Sequence, residues 1–559
     1  MAADSISVRW MLVTLCWLSA VTQIAAQTRA PSQGATPSNG YRIAGTVVSK
    51  IDGHPLARAR VTVQDTKSTD KFEAVVTAED GKFEFTGVPP GKYNLRGSKR
   101  RYVAASYDEH EQYSTAIVTG AGLETETLIL RLAPMAIIAG KVLDESGDPV
   151  RHATVNVYRN DHSSGVDQIS QVHSSQTDDL GAYEAAPVPP GTYYLSVTAR
   201  PWYALHSSSE DAGPGPPSAS VEAKVDRALD VAYPLTYYPD VLDAESASPI
   251  PVRGGEHLQI DMHLNPVPAL HIFFRAPTTG EGNHIFPQLE QPAFDGSTFL
   301  QTGGSQRMAS SDVFELTGVP AGRYNVRLYG QSTATLMSGV DLSKDGEVID
   351  TSTAETMSSL KIGVQALGDT TIPQHLIVGL RTGSKIFAGM QQVNAKGEAD
   401  FHQIAPGRYE VTVWSANKAF SIAHISAEGA EVSGHSVTLT AGAQPSISLT
   451  VVSGILNVEG IAKKDGKVFA GAMVVLVPKN PEGNRDLFRR DQSDLDGTFT
   501  LQDVVPGSYT VLAIENGWDL DWSHPAAIAA YVNRGQPIEV GSQFGRTIKL
   551  QRMVDVLSK

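Results

Sequence analysis

The chain is nearly free of cysteine. Its 559 residues include one, Cys16, and this residue lies inside an apolar N-terminal segment. A chain cleaved after that segment would contain no cysteine, so we expect neither disulfide bonds nor thiolate chemistry. Positive charge is also sparse, because 45 Lys and Arg stand against 60 Asp and Glu, giving a net charge of −15. Such an acidic chain is a poor candidate for nucleic-acid binding, which requires the neutralisation of phosphates.

Apolar runs long enough to span a bilayer are missing as well. The longest apolar run, Trp10 to Val21, follows Arg9 and precedes the small residues Ala25 and Ala26. A run of this length is typical of a secretory signal rather than a membrane helix. We predict a signal peptide over residues 1–26, a flexible linker over 27–40, and no membrane-spanning segment after cleavage. The expected location is secreted, periplasmic or at the cell surface.

The motifs that support catalysis or metal binding are also lacking. None of the 15 histidines has a Glu three residues later, and the sequence contains no Gly-x-Ser-x-Gly elbow and no phosphate-binding glycine loop. The stretch from Gln492 to Asp503 has oxygen-bearing residues at some calcium-loop positions, but its neighbours predict strands and a hairpin turn instead of helices. We therefore predict no enzymatic activity, no cofactor and no metal.

One pattern does recur, five times. The first copy is DGKFEFTGVPPGKYNL, from Asp80 to Leu95, and the equivalent late glycines are residues 91, 191, 322, 407 and 507. Asp-Gly predicts a hairpin turn with Gly at positive φ, and the alternating Phe83 and Phe85 predict a strand with one buried face. Pro-Gly predicts a second turn, also with Gly freeing φ. The tyrosine that follows should bury its ring and hydrogen-bond its hydroxyl to the bend.

The repeats predict an all-β fold, a string of about five β-sandwich domains, each with its own core. The expected domains are residues 41–133, 134–266, 267–355, 356–453 and 454–559. The third and fourth are divergent, and the second carries a loop insertion over 204–232.

Together with residues upstream of it, the repeated pattern resembles a known family of domains. The strand at Gly45 or Gly140, the Gly-x-Pro turn that follows it, and the Asp-Gly-x-Phe…Pro-Gly-x-Tyr ending resemble carboxypeptidase regulatory-like domains. The resemblance implies transthyretin-like, seven-stranded Greek-key sandwiches, which are also grouped with a carbohydrate-binding-like fold. It further implies a secreted or surface bacterial protein built as a tandem array, and it does not imply peptidase activity.

Two pairs of aromatic residues are candidate ligand contacts. Trp202 and Tyr203 follow the tyrosine strand of the second repeat, and Trp518 and Trp522 occupy the corresponding place in the fifth. Such rings beside carboxylates can stack on sugars, or they can instead cap the end of a sandwich. We therefore predict a non-catalytic extracytoplasmic interaction or scaffold protein, with a carbohydrate-binding array as the alternative. The corresponding partners would be a cell-envelope protein or a carbohydrate.

Overall fold

A computed structural model describes residues 40–559 except 69, 121, 164, 186, 207–225, 227, 276–285, 301, 303, 308–312, 330–333, 368–374, 383–386, 416–419, 454–455 and 542–546. The predicted signal peptide, nearly all of the predicted linker and most of the predicted insertion lie outside the described residues. The described residues form five β-sandwiches in succession, which confirms the predicted fold class.

The first two sandwiches account for the strands before residue 266. The first comprises β1 (Tyr41–Ser49), β2 (Arg60–Asp65), β3 (Phe72–Val76), β4 (Lys82–Val88), β5 (Gly91–Ser98), β6 (Ala105–Ser106), β7 (Ile117–Thr119) and β8 (Leu128–Leu132). The second comprises β9 (Ile137–Leu143), β10 (Thr154–Asp161), β11 (Gln168–Gln176), β12 (Ala182–Glu184), β13 (Gly191–Thr198), β14 (Val231–Ala232), β15 (Thr236–Tyr237), β16 (Ile250–Val252), β17 (His257–Gln259) and β18 (Met262–His263).

The third and fourth sandwiches follow a short strand, β19 (Val267–Pro268), which pairs with β14. The third comprises β20 (Leu270–Arg275), β21 (Phe286–Ala293), β22 (Gly296–Phe299), β23 (Gly304–Arg307), β24 (Val313–Val319), β25 (Gly322–Tyr329), β26 (Ala334–Leu342), β27 (Val348–Asp350) and β28 (Glu355–Thr356). The fourth comprises β29 (Ser358–Ala366), β30 (Ile377–Arg381), β31 (Phe387–Gln392), β32 (Glu398–Ile404), β33 (Gly407–Trp414), β34 (Phe420–Glu428), β35 (Glu431–Ser433), β36 (Ser436–Leu439) and β37 (Ser446–Ser453).

The fifth sandwich includes an α-helix as well as strands. It comprises β38 (Leu456–Lys464), β39 (Lys467–Val468), β40 (Met473–Pro478), β41 (Arg489–Gln492), β42 (Thr498–Val504), β43 (Gly507–Glu515), α1 (Pro525–Val532), β44 (Gln536–Val540), β45 (Thr547–Lys549) and β46 (Val554–Ser558). Short 3₁₀ helices lie at Ala244–Ser246, Thr351–Thr353, Pro481–Gly483 and Arg485–Leu487. None of the helices in the described part of the chain is long and apolar enough to cross a membrane.

All five sandwiches share one pairing scheme. In one sheet the first strand is antiparallel to the strand that follows the Asp-Gly turn and parallel to a strand near the end of the unit, as in β4-β1-β8, β12-β9-β17, β24-β20-β27, β32-β29-β37 and β42-β38-β45. In the other sheet the second strand lies between the third strand and the tyrosine strand, as in β3-β2-β5 and β41-β40-β43. The repeated sequence pattern therefore corresponds to a repeated topology.

The glycine of the first strand allows the neighbouring strands to approach closely. A Cβ atom on Gly45 would lie 2.1 Å from Leu128 O, and one on Gly140 would lie 1.7 Å from Ile260 O. Side chains cannot be accommodated at such distances, so these positions require glycine.

Each sandwich encloses its own apolar cluster. Along β4, Phe83 and Phe85 are buried while Lys82 and Glu84 are exposed, as the alternation predicts. The buried members of the five main clusters fall within residues 43–132, 136–264, 270–349, 360–451 and 456–554.

The five predicted tyrosine corners are present. In every sandwich the tyrosine hydroxyl donates to the carbonyl oxygen four residues earlier, over 2.6–3.0 Å, in the pairs Tyr93–Pro89, Tyr193–Pro189, Tyr324–Pro320, Tyr409–Ala405 and Tyr509–Val505. All five tyrosines are buried. Each corner therefore ties the start of its strand to the preceding bend.

The two predicted glycine turns differ in outcome. The Asp-Gly turns have the expected positive φ at Gly81, Gly181, Gly397 and Gly497. At the Pro-Gly position φ is positive at Gly407 (152°) but not at Gly91 or Gly507, so the prediction was wrong for those two turns. Positive φ occurs four residues earlier instead, at Gly87 (73°) and Asp503 (60°), where the pairing with the first strand shifts register in a bulge.

At the Pro-Gly position glycine provides space rather than backbone freedom. A Cβ atom on Gly507 would lie 3.2 Å from Cε2 of Tyr509. The tyrosine ring lies back over this glycine, so a larger residue would push it away from the bend.

The fifth sandwich differs from the sequence prediction in two ways. Helix α1 begins at Pro525 in a unit that was expected to be all β, because proline suits the first turn of a helix and the alanines after it favour helix. In addition, the fifth sandwich packs back against the first and second. The described units therefore do not form a simple string.

Candidate interaction site between the first, second and fifth sandwiches

An edge strand of the fifth sandwich is covered by a loop of the first. Strand β41 is at the edge of its sheet, and residues 107–116, here called the 107–116 loop, lie against it. Gln492 Nε2 donates to Asp108 O over 2.6 Å and to Thr115 Oγ1 over 2.7 Å. Just beyond the strand, Leu495 N donates to Ala116 O over 3.1 Å. Because open edge strands invite pairing with other chains, this contact protects a reactive edge.

Charged side chains reinforce the same contact. Lys92 Nζ of the first sandwich lies 2.5 Å from Asp494 Oδ2, and Arg490 Nη2 lies 2.7 Å from Glu111 Oε2. The Arg490 side chain is fully buried. Its guanidinium carbon lies 4.5 Å from the ring centroid of Tyr113 and 5.3 Å from that of Trp518. Aromatic faces thus surround a buried cation that has one carboxylate partner.

Two aspartates beside this contact have altered proton affinities. Burial raises the pKa of Asp491 to about 7, although Thr500 N donates to its carboxylate and the charge of Lys92 favours ionisation. Burial also raises the pKa of Asp494, opposed by its ion pair with Lys92. The contact between the first and fifth sandwiches therefore contains groups that titrate above the usual range of aspartate.

Trp518 and Trp522 lie at the edge of this contact. Trp518 stacks on His110 of the first sandwich, with ring centroids 4.4 Å apart and planes 7° from parallel. Trp522 is 8% exposed and packs with Phe488 and Ile528. Its ring also lies over Gly165 of the second sandwich, where a Cβ atom would come within 2.5 Å of it.

These surroundings favour the packing alternative that the sequence left open for the two tryptophans. Their rings contact neighbouring sandwiches as well as their own, which a local sequence pattern could not indicate. Their role as ligand contacts stays a prediction.

Trp202 and Tyr203 have a different environment. Trp202 is 84% exposed, and its ring stands nearly perpendicular to that of Tyr203 at a centroid distance of 5.8 Å. Tyr203 Oη donates to Glu145 over 2.5 Å, and Tyr233 Oη donates to the same carboxylate over 3.3 Å. Burial and the neighbouring carboxylate of Glu145 raise the pKa of Tyr203 to about 12. The structure thus brings this pair together with an acidic group on the surface of the second sandwich.

A second contact between sandwiches was not indicated by the sequence. At the junction of the second and third units, His271 Nε2 lies 2.8 Å from Asp230 Oδ2 and His271 Nδ1 lies 2.9 Å from Glu315 Oε1. His206 lies 2.8 Å from the other oxygen of Asp230. Burial alone would lower the pKa of His271, but its hydrogen bonds to the two carboxylates outweigh burial and raise it.

Two cavities lie in the described part of the chain. One, of about 310 Å³, lies between the second and third sandwiches and is lined in part by Tyr237 and Arg323. The other, of about 640 Å³, runs beside α1 in the fifth sandwich and is lined in part by Lys479 and Glu539. Histidine and cysteine are absent from the described lining of both.

Two segments of the chain match a known family. Residues 42–126 and 137–224 match the family model described as carboxypeptidase regulatory-like domain. The chain contains two carboxypeptidase regulatory-like domains. They correspond to the first and second sandwiches, and they confirm the resemblance seen in the sequence.

Solved structures of whole proteins are similar to this chain only at low sequence identity and low TM-score. The Bacillus anthracis TIE protein is 10% identical, with 94% of this chain and 76% of that chain covered and a TM-score of 0.17. The full-length major pilin RrgB from Streptococcus pneumoniae is 10% identical, with coverages of 92% and 99% and a TM-score of 0.15. Likenesses this weak support no conclusion about function. A search of curated proteins finds no match.

Proposed function

We propose that this chain is a non-catalytic extracytoplasmic scaffold that presents its carboxypeptidase regulatory-like domains and their three companion sandwiches to a partner in the cell envelope. The observation that supports this most is the use of buried polar groups. The ion pairs Lys92–Asp494 and Arg490–Glu111 and the His271 cluster join one sandwich to another. Charged groups placed in this way stabilise an arrangement of domains.

The chemistry of the described residues supports the same proposal. An enzyme needs a nucleophile or bound water, a base and a group that orients it around a cavity. The histidine at the second junction, His271, contacts carboxylates on both ring nitrogens and so has no free nitrogen to act as a base. His271 is not among the residues that line the two cavities described above.

The proposal is tested by activity and location together. Purified full-length chain should release no product from peptide, ester or glycoside substrates, with or without a chelator. Protein recovered from its host should have an intact mass that corresponds to cleavage after Ala26. Turnover that a chelator abolishes, or a mature species that retains Cys16, would contradict the proposal.

Carbohydrate binding is a second candidate, and the exposure of Trp202 favours it. A ring that is 84% exposed beside Tyr203 and Glu145 offers a stacking face next to a hydrogen-bonding carboxylate. A glycan array probed with the full chain should then show one polysaccharide class whose binding is lost in Trp202→Ala. Trp414→Ala is a matched control, because Trp414 is 58% exposed on another sandwich. Equal loss in both variants, or no binding by the parent chain, would exclude this candidate.

A further inference from the structure

Three metal-ligating side chains converge where the second sandwich meets the fifth. His162 and Asp167 lie on the loop between β10 and β11, and Asp521 lies on the turn before α1. Nδ1 of His162 lies 3.0 Å from Asp167 Oδ1 and 3.5 Å from Asp521 Oδ1. One donor atom from each residue falls within 4.8 Å of the others. The three atoms therefore face a common point, although two come from one loop of the second sandwich and the third comes from the fifth sandwich.

The second ring nitrogen of His162 is already engaged. Its Nε2 lies 2.6 Å from Leu520 O, a backbone carbonyl that can only accept a hydrogen bond. Nε2 must therefore carry the proton, and in the neutral ring the lone pair is on Nδ1, which faces the two carboxylates. A histidine that binds a metal through one nitrogen and donates from the other to a carbonyl has the same arrangement.

A lone pair and two carboxylates at one point favour a cation between them. Neither Asp167 nor Asp521 has a Lys or Arg partner among the residues that the structure describes. Lys559 pairs with Asp519, which lies two residues before Asp521. The cation between them is either a second proton on His162, which would make an imidazolium, or a metal ion.

We infer that His162, Asp167 and Asp521 form a binding site for a divalent transition cation of the Zn²⁺ class, which joins the second and fifth sandwiches. Ligands of tetrahedral Zn²⁺ at about 2.0–2.1 Å are roughly 3.3 Å apart, close to the separations from Nδ1. One imidazole nitrogen with two carboxylates suits Zn²⁺ better than Ca²⁺ or Mg²⁺, which prefer oxygen ligands alone. The carboxylates are 66% and 41% exposed, so an ion can enter and water can complete the coordination.

The backbone also holds the two loops together independently of the cation. Ser523 N donates to Gly165 O over 3.2 Å, and the ring of Trp522 lies over Gly165. Because these contacts do not involve the three ligands, a change in one carboxylate should leave the loops in place. The site can therefore be tested without disrupting the contact.

The test is a titration of the full chain with ZnCl₂ at pH 7.5, in which isothermal titration calorimetry measures the affinity and the stoichiometry. We expect one Zn²⁺ site whose affinity falls at least tenfold in Asp167→Asn and in Asp521→Asn. The control is Asp52→Asn, because Asp52 lies 2.5 Å from His54 on an exposed turn of the first sandwich but lacks a second carboxylate. This variant should keep the parent affinity, and CaCl₂ should give no matching site.

Two results would overturn the inference. One is the same Zn²⁺ affinity in the parent chain, in both ligand variants and in the control. The other is no stoichiometric Zn²⁺ binding while the His162 ring titrates with pH in NMR spectra, which would assign the position to a proton. Raising the pH from 6 to 7.5 should strengthen binding if Zn²⁺ displaces that proton.

Discussion

At the scale of single residues, the corner tyrosine carries two separable contributions. Its ring fills the core beside the bend, and its hydroxyl satisfies a carbonyl that the bend leaves without a strand partner. Tyr509 shows both, because its side chain is buried and its hydroxyl lies 2.9 Å from Val505 O. Substitutions that remove the hydroxyl alone or the whole ring can measure each contribution.

We expect Tyr509→Phe to lower the stability of the fifth sandwich by about 1 kcal/mol, the value of one hydrogen bond. Tyr509→Ala should lower it by about 3–5 kcal/mol, because a cavity replaces the ring. Hydrogen exchange resolved by sandwich would measure both losses. The third and fourth sandwiches should keep their protection, and a uniform loss across all five would contradict separate cores.

Asp491 provides a prediction about pH. Its pKa is raised from 3.8 to about 7 in the folded chain. Between these values the folded state holds a proton that the unfolded chain has released, so the free energy of unfolding falls as the pH rises from about 4 to about 7. Asp491→Asn removes this dependence and should stabilise the protein above pH 7, by at most about 4 kcal/mol.

Denaturant unfolding at pH 4.5 and pH 8 would measure this difference. Asp555→Asn is the control, because the Asp555 side chain is 75% exposed. If the stability of Asp491→Asn relative to the parent is the same at both pH values, the carboxyl is not held in its protonated form.

At the scale of elements, the edge strand β41 and the turn before α1 form one docking surface. A side chain of the strand and the backbone just beyond it donate hydrogen bonds to the 107–116 loop. The turn places the ring of Trp518 against the ring of His110. Trp522 is a buried member of the apolar cluster with Ile528, whereas Trp518 is only partly buried against that cluster. The two tryptophans should therefore respond differently to truncation.

We expect Trp522→Ala to lower the stability of the fifth sandwich by about 3–5 kcal/mol, since it removes a buried ring. Trp518→Ala should leave that core nearly intact and weaken the contact with the first sandwich. Thermal unfolding reports the first effect, and the change in protection of the 107–116 loop in hydrogen exchange reports the second. The reverse order of effects would show that Trp518 supports the core.

Local features of the fold could be predicted from the sequence, and contacts between distant segments could not. The alternation at Phe83 and Phe85 and the bond from Tyr93 to Pro89 each depend on a few neighbouring residues. The positive φ at Asp503 depends on a register shift against another strand, so no turn signature indicates it. His162 and Leu520 are 358 positions apart, and their contact exists only because the fifth sandwich packs back on the second.

At the scale of the whole molecule, the described chain is closed on itself by its last sandwich. The first and fifth units meet through paired charges, and the second and fifth meet at the loop that carries His162. The second and third units are joined by the His271 cluster. Opening the array therefore requires the separation of buried charges from their partners, which is costly.

Removal of two partners on the first sandwich, the ring that stacks on Trp518 and the carboxylate that pairs with Arg490, should loosen the array without damage to the cores. We expect the double variant His110→Ala, Glu111→Ala to increase the maximum dimension of the full chain in small-angle X-ray scattering. Glu410→Ala, which removes an ion pair with Arg381 inside the fourth sandwich, should leave the maximum dimension unchanged. An unchanged dimension in the double variant would show that the closed arrangement does not depend on this contact.

The parallel pairing of the first strand with a late strand in every sandwich determines how each unit would bear tension. In the first sandwich five successive residue pairs, from Gly45↔Leu128 to Ser49↔Leu132, join two strands that run in the same direction. A pull on the two ends of the unit would slide these strands past each other and load the hydrogen bonds together in shear. Antiparallel neighbours pulled from one end would instead open one bond at a time. Each sandwich should therefore resist extension of its own ends more strongly than a unit whose terminal strands are antiparallel neighbours pulled from one end.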